Sequence, residues 1–209
     1  MRIHNCEQGS PEWSALRAGL PTASEFSKLI TSTGEPSKSL PSYAITLAAE
    51  KYAGKPVDAW EGNSYTERGK LLEDDARSWY AFVHDAELTS VGFVTNDAQS
   101  FGCSPDSFVG NEGLLEIKCL KAENHVKALL YYGKHKKTPP DYVQQTQGQI
   151  MVCQRQWSDL VFFHPDLPSL VIRQEKNADL QVSLMAQIEC VISERDRVYA
   201  ELMQYRGAA

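Results

Sequence analysis

Apolar positions recur three or four residues apart in several stretches of the chain. Leu72, Ala76 and Trp79, with Val83 just beyond, place one apolar face on a long helix over residues 65–82. Ser10-Pro11-Glu12 opens a shorter helix with proline at its first position, and Gly19 stops it. Thr22-Ala23-Ser24-Glu25 has the form of a capping box and predicts a second helix running towards Ile30. A Ser/Thr/Gly/Pro loop over residues 31–39 leads to a helix at 41–53, closed by Gly54. Residues 179–205 carry the longest amphipathic pattern.

Between these helices the period changes from 3.6 to 2. Val91, Phe93 and Thr95 alternate and predict a strand over residues 88–95. Residues 101–110 read as short strand pieces broken by turns. Asn111-Glu112-Gly113 signals a hairpin turn, and residues 114–119 form the strand after it. A helix is predicted at 122–134. Pro139-Pro140-Asp141 then interrupts the chain before another helix at 142–153. Residues 159–163 and 170–174 read as a strand pair around a turn at 165–169. No repeat or low-complexity linker divides the chain, so one α/β domain over residues 1–209 is expected.

Composition narrows the class. A chain of 209 residues, 42% hydrophobic and 23% charged, can bury a full core, and its 13 glycines and 10 prolines exclude collagen-like or disordered character. The five cysteines contain no Cys-x-x-Cys pair, which disfavours a zinc ribbon or a disulfide framework and fits a reducing compartment. Residues 1–11 lack an apolar signal core, and the longest apolar runs are far too short to span a bilayer. A soluble, cytoplasmic protein is expected, with no membrane partner.

The net charge of −6 argues at first against nucleic acid as a partner. The charge is arranged in blocks, however. Residues 61–117 carry eleven acidic and three basic side chains; residues 118–137 carry six lysines and one glutamate. A solvated helix face is the ordinary meaning of such runs. The alternative is a metal site beside a phosphate-binding surface.

The chemistry concentrates in Pro105-Asp106 and Glu116-Ile117-Lys118. Strand alternation puts Glu116 and Lys118 on one face and Leu115, Ile117 and Cys119 on the apolar other. A hairpin through residues 111–113 brings Asp106 near Glu116. Two carboxylates and a strand carbonyl are hard oxygen donors of the kind Mg²⁺ prefers. By spacing alone, an exposed strand with a weak Glu–Lys pair is the favoured reading, since such a spacing is common by chance.

Taken with their surroundings, these residues resemble the PD-(D/E)XK nuclease signature. More closely, the chain is similar to the bacteriophage lambda exonuclease and YqaJ-type viral recombinase family. The resemblance runs through residues 12–19, Thr22-Ala23-Ser24-Glu25, residues 69–77, Cys103-Ser104-Pro105-Asp106, residues 113–119, and Tyr142-Val143-Gln144-Gln145-Thr146-Gln147 ahead of Trp157-Ser158-Asp159. Ser107 replaces the family's usual glycine after the Pro-Asp pair, and Ile117 its leucine-type residue.

The resemblance implies a restriction-endonuclease-like core, a central mixed β-sheet flanked by helices. Asp106, Glu116 and the carbonyl of Ile117 would be metal ligands and Lys118 the catalytic lysine. Glu73 would support the site and Gln145 act within it, while Arg17, Ser24 and Ser104 would hold a 5′-terminal phosphate. Gln147 and Asp97 stand near family positions without an assigned role. The family implies Mg²⁺, with Mn²⁺ as substitute and two ions per site. It also implies linear double-stranded DNA with a 5′-phosphate as substrate, a toroidal homotrimer, and a single-strand annealing protein as partner. The activity implied is 5′→3′ exonuclease digestion leaving a 3′ overhang.

Two other readings stay open on the residues: another endonuclease or repair nuclease of the superfamily, and a DNA-end-binding protein without catalysis. The cysteines lack the spacing of the iron–sulfur nucleases. Trp13 and Trp157 are expected in the core, and none of the five histidines receives a catalytic role.

Overall fold

The computed structural model describes residues 1–57 and 64–205, with side chains described outside residues 64–71. The Gly69-Lys70-Leu71 part of the helix motif therefore lies outside the described side chains. Its elements are β1 (Arg2–His4), α1 (Pro11–Arg17), a 3₁₀ segment (Ala23–Lys28), α2 (Leu40–Ala53), α3 (Ser64–His84), β2 (Leu88–Thr89), β3 (Phe93–Thr95) and β4 (Gly102–Cys103). Then follow β5 (Ser107–Val109), β6 (Gly113–Lys118), α4 (Ala122–His135), α5 (Pro140–Cys153), β7 (Trp157–Phe162), β8 (Leu170–Glu175) and α6 (Ala178–Gln204).

Five strands form the central sheet in the order β2-β5-β6-β7-β8, and β1, β3 and β4 form a second, antiparallel sheet. The central sheet is mixed: β6 and β7 run parallel, joined by the α4–α5 crossover, and the other neighbours are antiparallel. The predicted hairpin is present, with Val109 opposite Gly113 and Ser107 opposite Leu115. Strand β6 is covered on both faces. Leu115 and Ile117 pack with Ala76 and Tyr80 of α3, while Leu114 joins Ile150 of α5 and the α6 residues Leu184 and Ile188. Burial on both sides explains why the strand reads as a nearly continuous apolar run.

Helix α5 approaches closely because of Gly148: a methyl group there would stand 2.3 Å from Phe26 in the 3₁₀ segment. This contact seats α5, and the glutamines it carries, against the 3₁₀ segment.

Two local expectations are corrected. The second predicted helix is a six-residue 3₁₀ segment, and Thr22 makes no side-chain cap bond. Its hydroxyl instead accepts from Arg17, and Glu25 pairs with Lys28, so both capping-box side chains are engaged elsewhere. The strand expected over residues 88–95 splits into β2 and β3, which enter different sheets. Between them a methyl group on Gly92 would stand 2.3 Å from the Cys6 carbonyl oxygen, so the backbones meet there. Strand β1 was not legible because three residues carry too little alternation to register.

Candidate active site

The hairpin places Asp106 just before β5, opposite the second half of β6. Its N–H donates to the Leu115 carbonyl at 3.0 Å, and its Oδ2 accepts from the Ile117 N–H at 2.5 Å. Glu116, on the same strand, is only 4% exposed beneath α5. Its Oε1 accepts from Lys118 Nζ at 2.7 Å and from Gln145 Nε2 at 2.5 Å; its Oε2 accepts from Gln149 Nε2 at 2.6 Å. Lys118 Nζ also donates to Gln145 Oε1 at 3.1 Å and lies 5.6 Å from the Tyr142 ring centre. Strand alternation thus sets the carboxylate and ammonium side by side, and α5 covers both.

Glu73 reaches the site from α3. Arg77, one turn later, donates from Nη2 to Glu73 Oε1 and from Nε to the Asp106 main-chain carbonyl at 3.3 Å. Arg77 thereby ties α3 to the hairpin. Burial raises the Glu73 carboxyl, and Arg77 only partly opposes this. Asp106 is pushed well above the usual carboxylate range by burial and by the neighbouring Glu116 and Glu73. For Lys118, burial works against the charge, but Glu116 and Asp106 outweigh it and the net shift is upward. The lysine is therefore an ammonium at neutral pH, a donor rather than a base.

The donor set fits a hard divalent cation. Asp106 and Glu116 are carboxyls forced together, and their mutual repulsion is what a cation relieves. Among the described residues, no three His, Cys, Asp or Glu side chains form a complete metal cage. A set of two carboxylates and one main-chain carbonyl, with water and phosphate supplying the rest, is how Mg²⁺ commonly binds.

The expected phosphate-binding residues also converge. Arg17 Nη2 donates to Thr22 Oγ1 and Ser24 Oγ, each at 3.2 Å. Its guanidinium lies 4.1 Å from the Trp13 ring centre, and Trp13 Nε1 donates to Ser104 Oγ at 2.8 Å. Among the described residues no acceptor takes the Ser104 hydroxyl hydrogen, which leaves it to donate to an anion. Among the described residues no carboxylate forms an ion pair with Arg17, and burial lowers its proton affinity. A desolvated guanidinium on an aromatic face, flanked by hydroxyls, is suited to an anion. Ser104 and Asp106 are two residues apart, so this cluster adjoins the carboxylate centre. A cleft of about 760 Å³ runs alongside, lined by Trp13, Glu73, Arg77 and Asp106 among others.

The family follows from a match on top of this geometry. The sequence model of the YqaJ-like viral recombinase domain matches residues 12–156. The chain belongs to that family. Its YqaJ-like fold is similar to the alkaline exonuclease LHK-Exo from Laribacter hongkongensis, at 28% identity and a TM-score of 0.83, over 95% of this chain and 99% of that one. The same exonuclease in complex with dAMP gives 27% identity and a TM-score of 0.81, over 95% and 98% of the two chains. A phage-related exonuclease from Haemophilus somnus 129PT shares the fold at 16% identity and a TM-score of 0.70, over 88% of this chain and 96% of that one. No curated protein sequence matches the chain. The PD-(D/E)XK-like assignment of the core stands on these structures.

Other expected residues have different places. Gln147 is buried and structural: its Nε2 donates to the Glu175 carbonyl and its Oε1 accepts from the Asn177 N–H. Asp97 is exposed and pairs with the Met1 amine, apart from the carboxylates. Trp13 is not a core residue but a wall between the Arg17 cluster and the cleft. Sequence reasoning missed Gln149, Arg77 and Thr22. Gln149 had a legible signal, since Gln145 and Gln149 stand one helical turn apart on one face.

Proposed function

We propose that this YqaJ-family chain is a Mg²⁺-dependent exonuclease that degrades one strand of linear double-stranded DNA from its 5′ end, leaving a 3′ overhang. One observation carries the reading: the carboxylate–lysine centre of Asp106, Glu116 and Lys118 adjoins the cluster of guanidinium and hydroxyl groups of Arg17, Ser24 and Ser104. The likeness to LHK-Exo supports an exonuclease, and an anion site beside a hydrolytic centre is what end recognition requires.

In this reading Asp106, Glu116 and the Ile117 carbonyl hold the metal, Mg²⁺ or in its place Mn²⁺, with two ions per site. Bound there, the metal would lower the pKa of water and offset phosphoryl charge. Lys118, held as an ammonium, donates to the attacking water or to the developing negative charge. Gln145 bridges Lys118 and Glu116 and fixes both rotamers, and Glu73 with Arg77 sets Asp106 from below. Arg17 and the two serines grip the terminal 5′-phosphate and so set which bond meets the carboxylates. Residues 1–209 act as one nuclease domain. The proposed assembly is a toroidal homotrimer, and the 3′ overhang suits a single-strand annealing protein as partner.

The test compares linear duplexes with 5′-phosphate or 5′-hydroxyl ends and a closed circle, each with Mg²⁺ or chelator. Release of 5′-mononucleotides from the phosphorylated linear duplex alone is expected. Cutting of the circle would make the protein an endonuclease, and undiminished activity in chelator would remove the metal. Light scattering at the mass of one chain would remove the trimer.

A further inference from the structure

A second cleft, of about 650 Å³, lies between the C-terminal end of α4, the first turn of α5 and β8. Its lining includes Lys136, Lys137, Tyr131, Tyr132 and Thr33, and no carboxylate. In a chain with 27 acidic and 21 basic residues, that is an unusual local balance. The catalytic cleft shows the contrast, since Glu7, Glu73, Asp74 and Asp106 all line it.

The cationic groups here are available. Lys136 and Lys137 are exposed, and among the described residues neither pairs with a carboxylate. Lys136 Nζ lies 5.4 Å from the Tyr132 ring centre, and the half-buried Tyr131 ring stacks on His135 at 4.6 Å. Arg173 also lines the cleft, but its guanidinium is bidentate on Asp159 and contributes little free charge. Ammonium groups beside aromatic faces are the paired elements of single-strand binding: lysines track the backbone while bases stack on rings.

Position strengthens the case. Pro140 and Val143 of α5 line this cleft, while Tyr142 between them faces Lys118. Consecutive residues of α5, Tyr142 and Val143, thus face Lys118 and the cleft respectively.

We propose that the cleft between Lys136, Lys137, Tyr131 and Tyr132 is a binding site for single-stranded DNA, namely the uncut strand released as its complement is digested. The inference rests on the nuclease reading for the identity of that strand, but binding itself is measured without cleavage.

The probe is a fluorescein-labelled oligothymidylate of about twelve nucleotides, within the usual site sizes, titrated by anisotropy in chelator. Lys136→Gln with Lys137→Gln is expected to weaken binding about tenfold or more. Its log K against log salt should flatten by about 1.4, the share of two phosphates on a single strand. Tyr131→Ala should weaken binding about fivefold or more through lost stacking. Both changes are at the surface, and circular dichroism checks that the fold is kept. An oligonucleotide carrying 5-bromodeoxyuridine should crosslink to the peptide containing Tyr131 and Tyr132. Unchanged affinity and salt slope in the lysine variant would overturn the site, as would an equal loss of blunt-duplex binding. Failure of the wild type to digest linear DNA would instead sink the nuclease reading, whatever the oligonucleotide result.

Discussion

Gln149 Nε2 donates to Glu116 Oε2 at 2.6 Å, from a helix turn above the strand that carries the carboxylate. With Gln145 and Lys118 on the other oxygen, three donors fix one buried carboxylate. Among the described residues the Gln149 Oε1 is buried without a partner, so the amide is held for what its nitrogen does. Gln149→Leu should lower kcat about tenfold or more and leave KM for DNA within about twofold, since the change frees Glu116 without touching the end-binding cluster. Stability should fall by about 1.5–3 kcal/mol, the range for a hydrogen bond to a charged group. Steady-state kinetics and urea unfolding check both.

Asp106 makes stability depend on pH in a direction opposite to that of an ordinary salt-bridged aspartate. Burial, Glu116 and Glu73 raise its carboxyl well above the usual range, so the folded state holds this proton more tightly than the unfolded chain. Its contribution is then fully present below the unfolded value near ~3.9 and is lost as pH rises through the folded value. Asp106→Asn should abolish cleavage in Mg²⁺, yet in chelator it should raise the melting temperature at pH 8, with little change at pH 4. Adding Mg²⁺ should raise the melting temperature of the wild type and not of the variant. A variant less stable than wild type at pH 8 would contradict the account.

Arg17→Ala should act on end selection rather than on the chemical step. The guanidinium contacts Thr22, Ser24 and the Trp13 face, and no described carboxylate holds it in an ion pair. The ratio of digestion rates on 5′-phosphate and 5′-hydroxyl ends should collapse towards one. Competition between the two duplexes in a single reaction measures this, and an unchanged ratio would remove the phosphate role.

Gly148→Ala tests whether the seating of α5 governs the site. The added methyl would stand 2.3 Å from Phe26, a fully buried ring. Overpacking of this kind costs about 1–3 kcal/mol, or roughly 2–12 °C in melting temperature for a chain this size. Activity should fall by more than the loss of folded protein explains, because Gln145 and Gln149 ride on the displaced helix. Thermal melts beside kcat at a temperature where both proteins are folded separate the two effects.

Some of this architecture is local and was legible in the chain. The alternation of Leu114, Leu115, Glu116, Ile117 and Lys118 determines which side chains share a face, since successive residues of a strand point oppositely. Turn chemistry at residues 111–113 fixes the hairpin, and with it the approach of Asp106 to Glu116. The long periodicity of α6 needed no partner to be recognised. The motif pattern pointed to the carboxylates, Lys118, Gln145 and the Arg17 cluster before any packing was known.

What only the tertiary structure decided are contacts between residues far apart in the chain. Trp13 meets Ser104 across 91 positions, and Gln149 meets Glu116 across 33. No periodicity encodes such pairs, because they depend on how α1 and α5 dock rather than on what they are. The same holds for Thr22: its sequence fits a capping box, but Arg17 takes its hydroxyl once α1 folds back, and a 3₁₀ turn results. The burial of Glu116, which turns a surface ion pair into a candidate metal ligand, likewise follows from α5 lying over the sheet, because desolvation is a property of packed layers and not of any single segment.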